Sequence, residues 1–245
     1  MKRNTCIKLG HHRLFYGDAT NSESYKHLFE NDKCNLFLVD PPYNVNYSGS
    51  KKKRRKLLND NLQSRYKQFV TALLENSFYY MQQGSSYYIF VAGKEMGTYK
   101  DILGNLDAHQ SLDLVWVKNH FVLSFADYKA KHEHILYGWK KGAAHNFYGA
   151  NNQTTVLEFR KPSKNKYHPT QKPSDLIRML ILNSTQEKEI IFDACLGSGT
   201  TLLEAQKTNR ICYGMEMDIE YVKTIINRFK FHYPNEKIEI MEAFR

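Results

Sequence analysis

The chain has 245 residues, 42% of them hydrophobic, and a net charge of +10. This apolar share excludes wholesale disorder, and 13 Gly with 6 Pro exclude collagen-like or linker-rich architectures. No apolar run approaches the roughly 18 residues of a membrane span. The start lacks an apolar secretory stretch, and Cys6, Cys34, Cys195 and Cys212 form no Cys-x-x-Cys spacing, so they read as reduced thiols of a cytoplasmic protein.

Short apolar runs rich in β-branched and aromatic residues predict strands at 35–39, 86–92, 112–117, 133–139, 189–192 and 211–217. Amphipathic stretches predict helices at 22–30, 63–81, 94–103, 173–184, 201–208 and 219–233. The alternation argues for one α/β domain around a parallel-type sheet. Two segments interrupt it. Residues 48–61 are basic and polar, a mobile loop by composition, with Lys51, Lys52, Lys53, Arg54, Arg55 and Lys56 in one run. Residues 143–167 are rich in Asn, Gln, Thr, Lys and Tyr and read as an inserted recognition element. A basic protein with a local run of cations suits a polyanionic partner, although such a run is also what a solvated loop looks like.

The first chemical motif is Asp40-Pro41-Pro42-Tyr43-Asn44, directly after the apolar run 35–39. The prolines have fixed φ and no N–H, so they end the strand in a rigid turn. In open α/β sheets, ligands bind outside the carboxyl ends of the strands, which puts Asp40 and Tyr43 at the mouth of a site. A carboxylate and a backbone carbonyl there can accept the two hydrogens of an exocyclic amine and localise its lone pair. Acceptors fixed in advance act on the charge that develops in the transition state. An aromatic ring beside them can stack on a flipped base.

The second motif is Asp193-Ala-Cys195-Leu-Gly197-Ser198-Gly199-Thr200, again after an apolar run. Its glycines allow close backbone approach to a ligand. Glu216 follows Asp193 by 23 residues, at the end of the next predicted strand, where an acidic residue can take ribose hydroxyls. Residue 202 is Leu, so the third glycine of a dinucleotide fingerprint is missing, which counts against an oxidoreductase. His132 and His134 fall on one strand face, but no further ligand stands at a recognisable spacing, and no metal is assigned.

With His168-Pro-Thr170-Gln-Lys172-Pro173 lying between these motifs, the chain resembles a β-class DNA amino-methyltransferase, in which the catalytic motif precedes the cofactor motif. The supporting segments are Gly17-Asp18, Trp116-Val-Lys118, Asp127-Tyr128 and residues 132–137. The resemblance implies a circularly permuted, Rossmann-like class I methyltransferase fold, with a mostly parallel seven-stranded sheet and helices on both faces. It implies S-adenosyl-L-methionine as cofactor and double-stranded DNA with a flipped target base as substrate. By position, Asp40, Pro41, Pro42 and Tyr43 handle the base. Asp193, Cys195, Gly197, Ser198, Gly199 and Thr200 form the cofactor loop, and Glu216 with Met217 takes the ribose end. Asp18 lies near the cofactor adenine, and His168, Thr170 and Lys172 close over its methionine end. Asn44, Tyr47 and the basic run 51–56 face DNA. One departure is Cys195, where the family usually has an aromatic residue.

Asp at position 40 favours the N6 amine of adenine, whereas Ser is commoner in the N4-cytosine enzymes. N4-cytosine methylation remains the alternative, as does an RNA substrate. A catalytically silent DNA-binding protein would be expected to lack Asp40 or Glu216, and both are present. Homodimerisation and a companion restriction enzyme stay open.

Overall fold

The computed structural model describes residues 1–44, 62–121, 127–160 and 171–241. Tyr47, the run 51–56, His168 and Thr170 lie outside the described residues. In chain order the elements are β1 (Thr5–Leu9), β2 (His12–Tyr16), α1 (Ser22–Phe29), β3 (Cys34–Val39), α2 (Tyr66–Tyr79), β4 (Met81–Val91), α3 (Met96–Gly104), β5 (Ala108–Val117), β6 (His132–Lys140), β7 (Val156–Glu158), α4 (Ser174–Ser184), β8 (Ile190–Asp193), α5 (Thr200–Lys207), β9 (Ile211–Glu216), α6 (Ile219–His232) and β10 (Ile238–Ile240).

The strands form one sheet in the order β10-β1-β2-β9-β8-β3-β4-β6-β5-β7. Pairing is parallel from β2 through β9, β8 and β3 to β4, and antiparallel on both sides of β6. The seven strands from β2 to β5 are therefore the expected sheet, all parallel except β6. Among the described residues the sheet has ten strands rather than seven, because β1 and β10 extend one edge and β7 the other.

The central strands bury both faces, which is why they read as unbroken apolar runs. In β3, Phe37 and Val39 face one core while Leu36 and Leu38 face the other. In β4, Tyr87, Ile89 and Val91 alternate in the same way with Tyr88 and Phe90. Helices α1, α2 and α3 cover the first face through Tyr25, Phe29, Val70, Leu74 and Ile102. Helices α4, α5 and α6 cover the second through Leu176, Leu180, Leu202, Val222 and Ile225.

The β1–β2 hairpin was not predicted. Leu9 pairs with His12, leaving a two-residue loop whose first residue, Gly10, has φ +58. A glycine at that position suits the twist of a tight hairpin. The insert at 143–167 is described as far as residue 160 and contributes only β7 as regular structure, paired with β5. Among the described residues no helix is long and apolar enough to cross a membrane.

Candidate active site

The chain leaves β3 for β4 on one side and leaves β8 for β9 on the other. The crevice between the carboxyl ends of β3 and β8 is thus the topological switch point, where open α/β sheets bind ligands. Asp40 follows β3 and Asp193 ends β8. Glu216 ends β9 and Asp18 lies just after β2. Four carboxylates, from residues far apart in sequence, therefore stand at the ends of four adjacent parallel strands. All four act on the Cys195 thiol. Burial first, and then Asp193, Glu216, Asp40 and Asp18, push its pKa well above the ordinary thiol value.

The glycine loop joins β8 to α5. Asp193 accepts the Cys195 N–H at 3.0 Å through one oxygen and the Thr201 hydroxyl at 2.6 Å through the other. Glu216 accepts the Gly197 N–H at 2.8 Å and the Asp218 N–H at 2.8 Å. Gly197 and Gly199 have φ +54 and +83, left-handed values that glycine adopts without strain. Arg228 donates to the Ser198 carbonyl, Thr200 opens α5, and Met217 is half-buried beside Glu216. Asp18 accepts the Thr20 N–H at 2.9 Å and its hydroxyl at 2.8 Å. Burial raises the carboxyls of Asp193 and Glu216 to about 7 against the hydrogen bonds that favour their ionised forms. Buried carboxylates around a glycine loop are stabilised by a cationic ligand, and this set of negative groups fits the sulfonium and ammonium of S-adenosylmethionine.

The catalytic turn is held from two sides. Tyr66 at the start of α2 donates to the Pro42 carbonyl at 2.8 Å, and Pro41 is buried. Asn44 has φ +56, its carbonyl accepts from Lys94 at 2.8 Å, and its side chain accepts the Leu62 N–H at 3.0 Å. The Tyr43 hydroxyl lies 2.8 Å from Asp40 Oδ1 and 3.1 Å from Glu133 Oε2.

Lys172 joins this cluster. Its Nζ is 2.5 Å from Asp40 Oδ2, 3.1 Å from Glu133 Oε2 and 3.2 Å from the Tyr43 oxygen. The ammonium also sits 5.2 Å from the Tyr43 ring centroid and 4.8 Å from that of Phe90. Lys118 pairs with Glu133 Oε1 at 2.7 Å. Burial acts to raise Glu133, but Lys172 and Lys118 outweigh it and hold the carboxyl at about 2. Asp40 goes the other way, because burial together with Glu133 outweighs Lys172 and raises it above the usual carboxylate range. Burial lowers Lys172, yet Asp40 and Glu133 hold it above the ordinary lysine value.

Glu133 and Lys118 lay in segments that support the resemblance, without a role. A signal for Glu133 existed. Strand alternation puts it on the face of Ile135 and Tyr137, opposite His132 and His134, and that is the face α4 covers.

A permuted Rossmann-like sheet with a glycine loop and an Asp-Pro-Pro-Tyr turn at its switch point defines a class I, S-adenosylmethionine-dependent methyltransferase. A family model described as DNA methylase, of the N6/N4 type, matches residues 34–228. The chain belongs to this N6/N4 DNA methylase family. The type II methyltransferase M.HpaI of Haemophilus parainfluenzae is 28% identical over 82% of the chain and 69% of its own length. The type II methyltransferase M.BglII of Bacillus subtilis is 26% identical over 86% and 66%. The chain thus spans about two thirds of these relatives. The crystal structure of an M1.HpyAVI–SAM complex matches with a TM-score of 0.66 and 24% identity over 88% of the chain and 98% of its own. The cytosine-N4-specific PvuII DNA methyltransferase matches with a TM-score of 0.70 and 17% identity over 91% and 86%.

Proposed function

We propose that the chain transfers a methyl group from S-adenosylmethionine to the N6 amine of adenine in a specific sequence of double-stranded DNA. The observation that carries this reading is the row of carboxylates at the switch point. Asp18, Glu216 and Asp193 suit the cationic cofactor, and Asp40 beside them suits the amine. When bound, the cofactor would supply an electrophilic methyl carbon whose bonding pair stays on sulfur, and the proton that the methylated nitrogen no longer holds would leave to solvent. Asp40 and the Pro41 carbonyl accept the amine hydrogens and direct its lone pair, acting as acceptors fixed in advance. Pro42, tied to Tyr66, keeps the turn rigid, and Tyr43 packs against the base once it has left the stack. Asn44 and Tyr47, with the run 51–56, face the DNA backbone. Residues 143–167 read the target sequence. The type II relatives support a companion restriction enzyme.

An aspartate, rather than a serine, at position 40 favours adenine over cytosine. The test is nucleoside mass spectrometry of DNA methylated by the purified protein. N6-methyladenine is the expected product. N4-methylcytosine would overturn the base assignment and leave the cofactor site standing.

A further inference from the structure

Lys172 raises a difficulty for Asp40. The ammonium donates to one Asp40 oxygen and the Tyr43 hydroxyl to the other, so both oxygens are engaged before any amine arrives. A cation bonded to Asp40 weakens it as an acceptor and repels the positive charge that grows on the amine during transfer. Asp40 is also the most open of the four charged side chains, 27% exposed against 5% for Lys172, 6% for Lys118 and 15% for Glu133. It therefore meets the mouth of the site while Glu133 and the two lysines lie behind it.

Both groups that occupy Asp40 have a second acceptor within reach, and it is the same atom. Glu133 Oε2 is 3.1 Å from Lys172 Nζ and 3.1 Å from the Tyr43 oxygen. The other oxygen of Glu133 is pinned by Lys118 at 2.7 Å, so the carboxylate cannot turn away. Among the described residues the cluster pairs two carboxylates with two ammoniums, so Lys172 can lean from Asp40 to Glu133 without creating a new buried charge. We infer that Glu133 is a positioning residue for methyl transfer: it takes over Lys172 and the Tyr43 hydroxyl as the target amine arrives, releasing the Asp40 carboxylate to that amine. This rests on the reading of Asp40 as the amine's acceptor.

Among the described residues, the groups that face Asp40 fix the pH behaviour. They are Tyr43 on its own turn, Glu133 on β6, Lys172 ahead of α4, and Asp193 and Cys195 at the end of β8. Asp40 must be ionised for its charge to offset the positive charge that grows on the amine, so its titration sets the acid limb of kcat. Glu133 raises that titration and Lys172 lowers it.

The experiment measures kcat, the KM for DNA and cofactor affinity across pH for Glu133→Gln, Glu133→Asp, Lys172→Met and Asp40→Ala. Glu133→Gln should lower kcat about tenfold or more while KM and cofactor affinity stay within about twofold. Its acid limb should move to lower pH, and that of Lys172→Met to higher pH. Glu133→Asp, which keeps the charge, should recover part of the rate. Should Glu133→Gln fail to fold, Glu133→Gln with Lys118→Met removes a carboxylate and an ammonium together and is read in the same way. A normal kcat with an unmoved acid limb in the Glu133 variants overturns the inference. Near-normal transfer by Asp40→Ala would instead overturn the reading of the site on which it rests.

Discussion

The Glu216 carboxylate at the end of β9 accepts the Gly197 N–H from the loop after β8 at 2.8 Å. One side chain thereby anchors the glycine loop and presents a buried negative charge to the crevice. Glu216→Ala removes both. Affinity for S-adenosylmethionine should fall by about 1.5–3 kcal/mol, the worth of hydrogen bonds to a charged group. Titration calorimetry measures it directly, and an unchanged dissociation constant would take Glu216 out of the cofactor site.

Asp193 makes stability depend on pH in a definite direction. Its carboxyl ionises at about 7 in the folded chain, against an ordinary value of 3.8. Between these values the folded state holds a proton that the unfolded state has lost, so stability falls as pH rises toward 7. Asp193→Asn removes that dependence, and the Thr201 hydroxyl can reverse to accept from the new amide. The variant should gain about 2–3 kcal/mol on the ligand-free wild type between pH 5 and pH 8. Urea unfolding of both proteins at the two pH values tests this, and a constant difference between them would refute it.

Phe192 precedes Asp193 and has no exposed surface. Its ring lies 5.5 Å from Tyr25, 5.0 Å from Phe29 and 5.6 Å from Phe37, so it ties α1 to the strands that carry both motifs. Phe192→Ala should cost about 3–5 kcal/mol of stability through lost transfer energy and the cavity left behind. A change in denaturant midpoint equivalent to less than about 1 kcal/mol would show that the face of the sheet repacks around the loss.

What could be read from the sequence follows from how local each feature is. The β3 run and the prolines after it lie within one window, as do the β8 run and its glycines, so strand, turn and chemistry are visible together. The β1–β2 hairpin is equally local, with Gly10 between two alternating runs. The three-residue strands β7 and β10 exist only because a sheet edge is there to pair with. The motif alone places Lys172 on the cofactor side and does not reveal that its ammonium bonds to Asp40, 132 residues away in the chain. That pairing depends on strand order, since β4 and β6 must lie side by side before Phe90, Glu133 and Lys172 can meet. Four carboxylates in a row likewise become visible only once β2, β9, β8 and β3 are known to be neighbours.

The basic run offers a test of the DNA partner that does not involve the chemistry. Lys51 to Lys56 lie in sequence between Asn44 and Leu62, and those two residues are bonded to each other beside the catalytic turn, at 3.0 Å from Leu62 N to Asn44 Oδ1. The run also follows Tyr43 of the catalytic turn by only eight residues in sequence, which is the reason to expect it to meet phosphates flanking a flipped base. Phosphate contacts position a protein on DNA, whereas base contacts specify the sequence. The run should therefore supply affinity, and its loss should leave the recognised sequence unchanged. Each phosphate neutralised adds about 0.9 to the magnitude of the log–log salt slope on duplex DNA. Replacing all six residues with Ser and Gly should lower that slope by roughly two to four, since not every side chain in a run of six can reach a phosphate. DNA affinity measured across a salt series for both proteins gives the two slopes. Equal slopes would make the run a solvated segment with no share in binding, and a changed methylation site would mean that it contacts bases.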